Sequence, residues 1–368
     1  MTVTKHKILL ISIIFSLIIA GCQREMINTE ENILPATFTI EIPQSISFDD
    51  EAKEDTIDGS RIYSHMRKFI YVGQMSANLV NNIINKIRQY GLNGETSFSY
   101  TGQDGDIKTV YIRSNATYQG RKWQYKMSIY DAQSDTPDNG LAMTVFWNND
   151  PVEGIAIVKP DLANKSWSNR WKGATYKVWF SENPENTKGY DQIMVIWISH
   201  LPADSTNRFS LRNLKMFVGR DGSRIDVKGN SDHPYGWLLI PRSKPGLEWA
   251  FVASADVNSD IGVAQVGLPP NYINTDDRNE ILGTYSLYKV LYNEFSKWYL
   301  MHFNRMPSQE IMESYLANAR SPGFFDSQGF VRAGDAPSDR YNALKQAIDT
   351  LTPYNPANVA NLYIDFEQ

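Results

Sequence analysis

From residue 96 to residue 268 apolar and polar side chains alternate with a period of two, segment after segment, and no other feature narrows the fold as much. The alternation predicts strands over 108–113, 122–130, 142–147, 154–158, 175–180, 192–199, 214–218, 224–227, 248–253 and 263–268. In the clearest of them Trp123, Tyr125, Met127 and Ile129 interleave with Lys122, Gln124, Lys126 and Ser128, so one face is apolar and the other is wet. The connections carry tight-turn chemistry: Gly102-Gln103-Asp104-Gly105, Asp138-Asn139-Gly140 and Arg220-Asp221-Gly222-Ser223. Loops this short force antiparallel neighbours, because a parallel crossover takes about a dozen residues or more. A strongly curved antiparallel meander is expected.

On either side of this series the period changes. Over 73–90, Met75, Leu79, Val80, Ile83, Ile84 and Ile87 recur at spacings of three and four, which predicts an amphipathic helix, with Gly91 placed for a left-handed cap. Such a helix is marginal by itself, so its stripe must lie on the sheet. Ahead of it, Phe38, Ile40 and Ile42 alternate before Pro43, predicting a first strand over 36–48, and 49–60 reads as an acidic solvated loop. After Pro269-Pro270, helices are expected over 277–304, 307–320 and 338–352, with a glycine-rich irregular stretch at 321–334. The first of these helices carries Tyr285, Tyr288, Tyr292, Phe295 and Tyr299 at spacings of three and four, which predicts an aromatic packing stripe. The fold class is α+β: a curved antiparallel sheet, half-barrel or sandwich-like, with an amphipathic helix before it and a C-terminal helical segment. The β-rich domain is expected over 36–270 and the helical region over 271–368.

The N-terminus says where such a body resides. Lys5 and Lys7 precede an apolar run, Ile8 to Ile19, broken only by Ser12 and Ser16. That run is about a dozen residues, short of the roughly 20 needed to span a bilayer. It ends in Ile19-Ala20-Gly21-Cys22, and Cys22 is the only cysteine of the 368 residues. These four residues resemble the lipobox of bacterial lipoproteins. The resemblance implies a signal peptide over 1–21, a mature chain whose Cys22 carries diacylglycerol and an acyl chain, and a tether over 22–35. Several acyl chains hold far more firmly than one myristoyl group. The expected location is the cell envelope, lipid-anchored in a membrane and facing the periplasm or the exterior. With its one thiol acylated, the body is held by apolar burial and hydrogen bonds alone. Removing Lys5 and Lys7 makes it more acidic than the formal charge of −5, and it has no basic stripe, so nucleic acid is excluded as a partner.

No sequence constellation specifies a reaction. His65, His200, His233 and His302 are scattered, without metal-ligand spacing, and no nucleophile elbow, phosphate loop or dinucleotide fingerprint occurs. No cofactor or metal is expected. Asp256, Asn258 and Asp260 space oxygens like the start of a calcium loop, but Ile261 and Gly267 stand where glycine and an acid would be needed, so a hairpin turn is expected. Aromatic residues make up 12% of the chain, with 20 Tyr and 9 Trp, enough for both a core and a stacking face. Trp167 and Trp171 sit in a polar, basic stretch that suits stacking on a sugar ring or plugging the end of the sheet. Trp123, Tyr125 and Met127 offer an apolar ligand face.

A helix ahead of a long meander, over about residues 70–270, is similar to the half-barrel scaffold of the lipoprotein carriers of the LolA and LolB type. That resemblance implies a concave sheet able to hold acyl chains, and it transfers no residue. Three functions compete: a non-enzymatic envelope lipoprotein binding an apolar ligand or a protein partner, a glycan-binding accessory lipoprotein using Trp167 and Trp171, and a hydrolase with an acid pair. A cavity lined by aliphatic side chains marks the first, an open groove with aromatic rings the second, and two facing carboxylates in a cleft the third.

Overall fold

The computed structural model describes residues 32–49, 57–167, 171–241 and 246–366, except the side chain of Trp167. The leader, Cys22 and most of the expected tether and acidic loop therefore lie outside the described residues. Thirteen strands run in strict sequence order through one antiparallel sheet: β1 (Thr96–Thr101), β2 (Ile107–Tyr118), β3 (Arg121–Asp131), β4 (Leu141–Asn149), β5 (Val152–Val158), β6 (Thr175–Ser181), β7 (Gln192–Ser199), β8 (Asn213–Asp221), β9 (Arg224–His233), β10 (Leu247–Asp256), β11 (Ile261–Gly267), β12 (Gly323–Asp326) and β13 (Gly329–Ala333). All ten strands predicted between residues 108 and 268 are present as β2 to β11, and β1 is one that the alternation did not mark. The hairpin Asp221↔Arg224 closes through Gly222, whose φ of +58° is the left-handed geometry a two-residue turn requires.

The stretch 321–334, expected to be irregular, supplies β12 and β13. Both are too short to show a period, and their pairing with β11 is long-range: Val263↔Phe324 and Gly262↔Phe325. Conversely, 36–48 is not a strand. Phe38, Ile40 and Ile42 are buried as the alternation requires, yet their backbone meets no neighbouring strand. The Phe38 amide donates to Asn81 Oδ1 (3.1 Å) and the Ile42 amide to Gln74 Oε1 (3.2 Å), side chains of the helix they cross. The expected tether also ends sooner than 35, for Ile33 and Leu34 are buried and the Trp147 indole donates to the Ile33 carbonyl (2.7 Å).

That helix, α1, spans Gly59–Arg88 and is capped by Asp58, whose carboxylate accepts from the Arg61 amide. It begins well before residue 73, because Gly73 is an interior contact and not a start: a β-carbon there would stand 2.4 Å from Met216 Cε. Gly91 does hold the left-handed conformation after the helix, with φ +64°. Along α1, Tyr63 packs on Phe325 and Phe330, Phe69 on Trp249 and His233, and Lys86 lies over the Tyr100 ring of β1. From Tyr63 to Lys86 the helix covers about 35 Å at 1.5 Å per residue. From β12 to β1 the sheet measures about 50 Å at roughly 4.8 Å per strand. The chord is shorter than the arc, so the sheet curls around the helix and is concave toward it.

After β11 the chain forms the helices α2 (Leu287–Phe303), α3 (Gln309–Leu316) and α4 (Asn342–Asp349) and the short α5 (Pro356–Ala360). A π-helical turn at Asn279–Thr284 separates α2 from the expected start near 277. Inward-facing residues of α2 are Leu287, Leu291, Phe295 and Tyr299, spaced by four and part of the main core with α1. Of the predicted aromatic stripe, Phe295 and Tyr299 are buried and Tyr288 is partly buried against the same core, whereas Tyr292, stacked on Tyr288 (6.4 Å), is exposed. The C-terminal segment crosses the convex face. Leu344 and Ile348 of α4 cover Ala250, Val252, Ile261 and Val263, and Ile364 reaches Tyr118, Phe146 and Ile157. Asn32–Gln368 forms one compact unit, so a chain starting at residue 23 retains the contacts described here.

Candidate functional site

The concave face offers no open site at the residues expected to bind. Met127 is fully buried in the core that α1 shares with the sheet, and Tyr125 packs on the same core with its ring against Trp147 (5.3 Å). Trp123 is not on that face at all. It belongs to the convex cluster with Tyr118, Phe146 and Ile157, so Trp123, Tyr125 and Met127 do not form one continuous surface. The change of face is local: the register is the same at Ser114↔Tyr125 and Ala116↔Trp123, but Asn115 between them has a φ of 56°, outside the extended range of a pleated strand. Trp171 is half-buried against the core beside Tyr176 (6.3 Å). The backbone leading to Trp167 is pinned by charge: Lys165 Nζ reaches Asp106 (2.7 Å) and Asp131 (3.1 Å), and buried Lys108 meets Asp104 (3.0 Å) and the Leu162 carbonyl (2.9 Å).

A second candidate, the facing acid pair, exists but is sealed. Glu248 and Asp232 are opposite one another on β10 and β9, both fully buried. Asp232 is paired with Arg212 (2.9 Å) and accepts from Asn271 (3.1 Å), and Glu248 accepts from Asn230 (2.7 Å). Over them Arg212 and Asn213 bind the α5 carbonyls of Val359 and Ala360. Burial, followed by the neighbouring Asp232 charge, pushes Glu248 well above the usual carboxylate range, while its hydrogen bond from Asn230 works against the rise. The folded protein therefore keeps a proton that the unfolded chain releases above about pH 4.5, so stability falls as pH rises beyond that point. Glu248→Gln keeps an acceptor for Asn230 and does not titrate. It should melt higher than the parent at about pH 8 and not at about pH 4; a difference in Tm that is independent of pH would refute this protonation state.

Asp256 and Asp260 are turn residues. Asp256 accepts from Ser223 and Ser259, and Asp260, with φ of 44°, accepts from the Ser45 amide. Among the described residues no group of three His, Cys, Asp or Glu side chains is arranged to hold a metal ion, and no helix is long and apolar enough to cross a membrane.

A groove of about 530 Å³ lies on the convex side of β2 and β3, lined by Thr109, Tyr111, Arg113, Lys126, Ser128, Tyr130 and Asn139. Strand alternation builds it. Val110, Ile112, Met127 and Ile129 turn into the core, which leaves the intervening residues on the other face. Register then sets Thr109↔Tyr130, Tyr111↔Ser128 and Arg113↔Lys126 side by side. Tyr111 and Tyr130 are diagonal neighbours in an edge-to-face pair (5.7 Å, 81°). Arg113 and Lys126 are two cations set directly opposite, an arrangement that destabilises a sheet. Among the described residues no carboxylate pairs with either. Partial burial, and then the Arg113 charge, hold the Lys126 ammonium below the usual lysine range; its Nζ also rests over the Phe146 ring (5.4 Å).

Of this groove the sequence showed only that Lys126 and Ser128 are on the wet face of a strand. Its partners Tyr111, Arg113 and Tyr130 are identified by register, which no local pattern encodes. Comparison with protein-family models, curated proteins and solved structures gave no match. The class of the chain therefore rests on its own fold: α+β, an open meander curled around its own first helix.

Proposed function

We propose that this chain is a lipid-anchored, non-enzymatic envelope protein whose β2–β3 groove binds an anionic glycan. The observation that carries the reading is the cross-strand pair Arg113 and Lys126, placed where it costs sheet stability and paired with no carboxylate among the described residues. A ligand carboxylate or sulfate bridging the two cations removes that repulsion, and Arg supplies a bidentate donor fork for it. Beside the cations, the two tyrosine rings offer flat amphipathic faces, and Thr109, Ser128 and Asn139 offer hydroxyl and amide partners for a sugar. The apolar-ligand alternative is disfavoured by the burial of Met127 and its neighbours beneath α1.

To test the reading, residues 23–368 would be titrated with uronic-acid and sulfated oligosaccharides, their neutral counterparts and a fluorescent fatty acid. Saturable binding of the acidic glycans is expected, weakened about ten-fold or more by Arg113→Ala and by Tyr130→Ala. In the absence of ligand Arg113→Ala should raise stability by a few tenths of a kcal/mol, since it relieves like-charge repulsion. Acidic-glycan binding untouched by Arg113→Ala, or saturable fatty-acid binding by the parent chain, would overturn the assignment. The anchor rests on the lipobox-like Ile19-Ala20-Gly21-Cys22, and fatty-acid labelling that persisted in Cys22→Ala would remove it.

A further inference from the structure

The hairpin of α2 and α3 carries a surface that neither the core nor the groove uses. Its buried stripe ends at Tyr299, and every residue from Leu300 to Met306 is exposed. Four of the seven are large and apolar: Leu300 at 45%, Met301 at 69%, Phe303 at 53% and Met306 at 57% exposure. Isolated apolar side chains on a surface are ordinary, but four within seven consecutive exposed residues are not. The turn is stiff. Asn304 caps α2 in the left-handed conformation, its amide bonded to the Leu300 carbonyl (2.9 Å), and Ser308 caps α3 through the Ile311 amide. Behind it, Phe295 stacks on Tyr315 (3.9 Å, 12°) and joins the two helices.

Charge selects the occupant. Lys297 and Arg305 flank the apolar residues, His302 lies between them, and no acid occurs from Phe295 to Gln309. The chain as a whole is acidic, at −5, so this cationic tip is a local reversal of its charge. We propose that the tip docks on an anionic phospholipid bilayer: Leu300, Met301, Phe303 and Met306 enter the headgroup–acyl boundary, and Lys297 and Arg305 lie at the level of the lipid phosphates. The inference is independent of the glycan groove and of the lipid on Cys22. It implies that the tip itself holds the body against the membrane, in one orientation.

The test uses residues 23–368, which lack the acylated cysteine. The chain should co-sediment with vesicles of phosphatidylcholine and phosphatidylglycerol and much less with phosphatidylcholine alone. Met301→Asp, at a position 69% exposed, should abolish sedimentation with no change in Tm; Phe303→Asp, which also removes a ring packed on Tyr299 (4.5 Å), should abolish it with a lowered Tm. Lys297→Glu should weaken it about ten-fold, through the charge it reverses near an anionic surface. Equal binding to both vesicle types would overturn the proposal, as would binding unmoved by Phe303→Asp. Self-association lost in Phe303→Asp without any vesicle binding would overturn it in favour of a second copy of the chain.

Discussion

Replacing Ile84 with aspartate is expected to destabilise the protein on the order of 5 kcal/mol, enough to unfold a typical domain. Ile84 is 1% exposed, on the side of α1 that faces the concave sheet. Truncating such a side chain costs about 2–5 kcal/mol, and placing an unpaired carboxylate there adds its desolvation or forces it to bind a proton. The control is one position away. Ile83 is only half-buried, lining a slit with Leu79, Lys86 and Tyr100 at the helix edge, where a carboxylate keeps contact with water and a lysine. Urea unfolding of both variants decides the matter: equal losses for Ile83→Asp and Ile84→Asp would show that the helix does not present the face described.

Gly59→Ala is expected to cost about 3 kcal/mol, the upper range for overpacking, whereas Gly73→Ala should cost about 1 kcal/mol. Both glycines lie in α1, where alanine is intrinsically the better helix former. A β-carbon on Gly59 would stand 2.0 Å from the Asn318 carbonyl oxygen and 2.4 Å from the Ala319 nitrogen. These are backbone atoms held by α3 and β12, with nowhere to go. On Gly73 the obstacle is the terminal methyl of Met216, the flexible end of an adaptable side chain that can change rotamer. Thermal melts of the two variants would show the contrast, and a Gly59→Ala protein as stable as its parent would disprove the close approach of α1 to the 318–319 backbone.

The same two features show how much of the molecule can be read locally. The stripe Val80, Ile84 and Ile87 and the alternation of β2 to β11 are properties of neighbouring residues, since burial on one side of a helix or strand imposes the period. Gly73 was misread as a helix start although Ile62, Met66, Phe69 and Ile70 already recur at spacings of three and four ahead of it; only its close packing on Met216 depends on a distant residue. The segment containing Phe38, Ile40 and Ile42 shows the reverse case. Its alternation correctly marks which side chains are buried, but the partner of its backbone is a helix carrying Asn81 and Gln74, so no strand forms. The candidate groove was legible only in part, because Lys126 is visibly outward but its neighbour Arg113 is assigned by register.

What the sequence alone determined is therefore the antiparallel meander, the helix ahead of it, the helices after it and, in β3 from Tyr125 to Ile129, the side that faces the core. These follow from hydrophobic period and turn chemistry, both carried by residues adjacent in the chain. Tertiary structure alone decided that α1 fills the concave face, that β12 and β13 extend the sheet, that Glu248 and Asp232 are sealed beneath α5, and that Arg113 faces Lys126. Each of these depends on which distant backbone comes alongside, and side chains read one segment at a time do not carry that information.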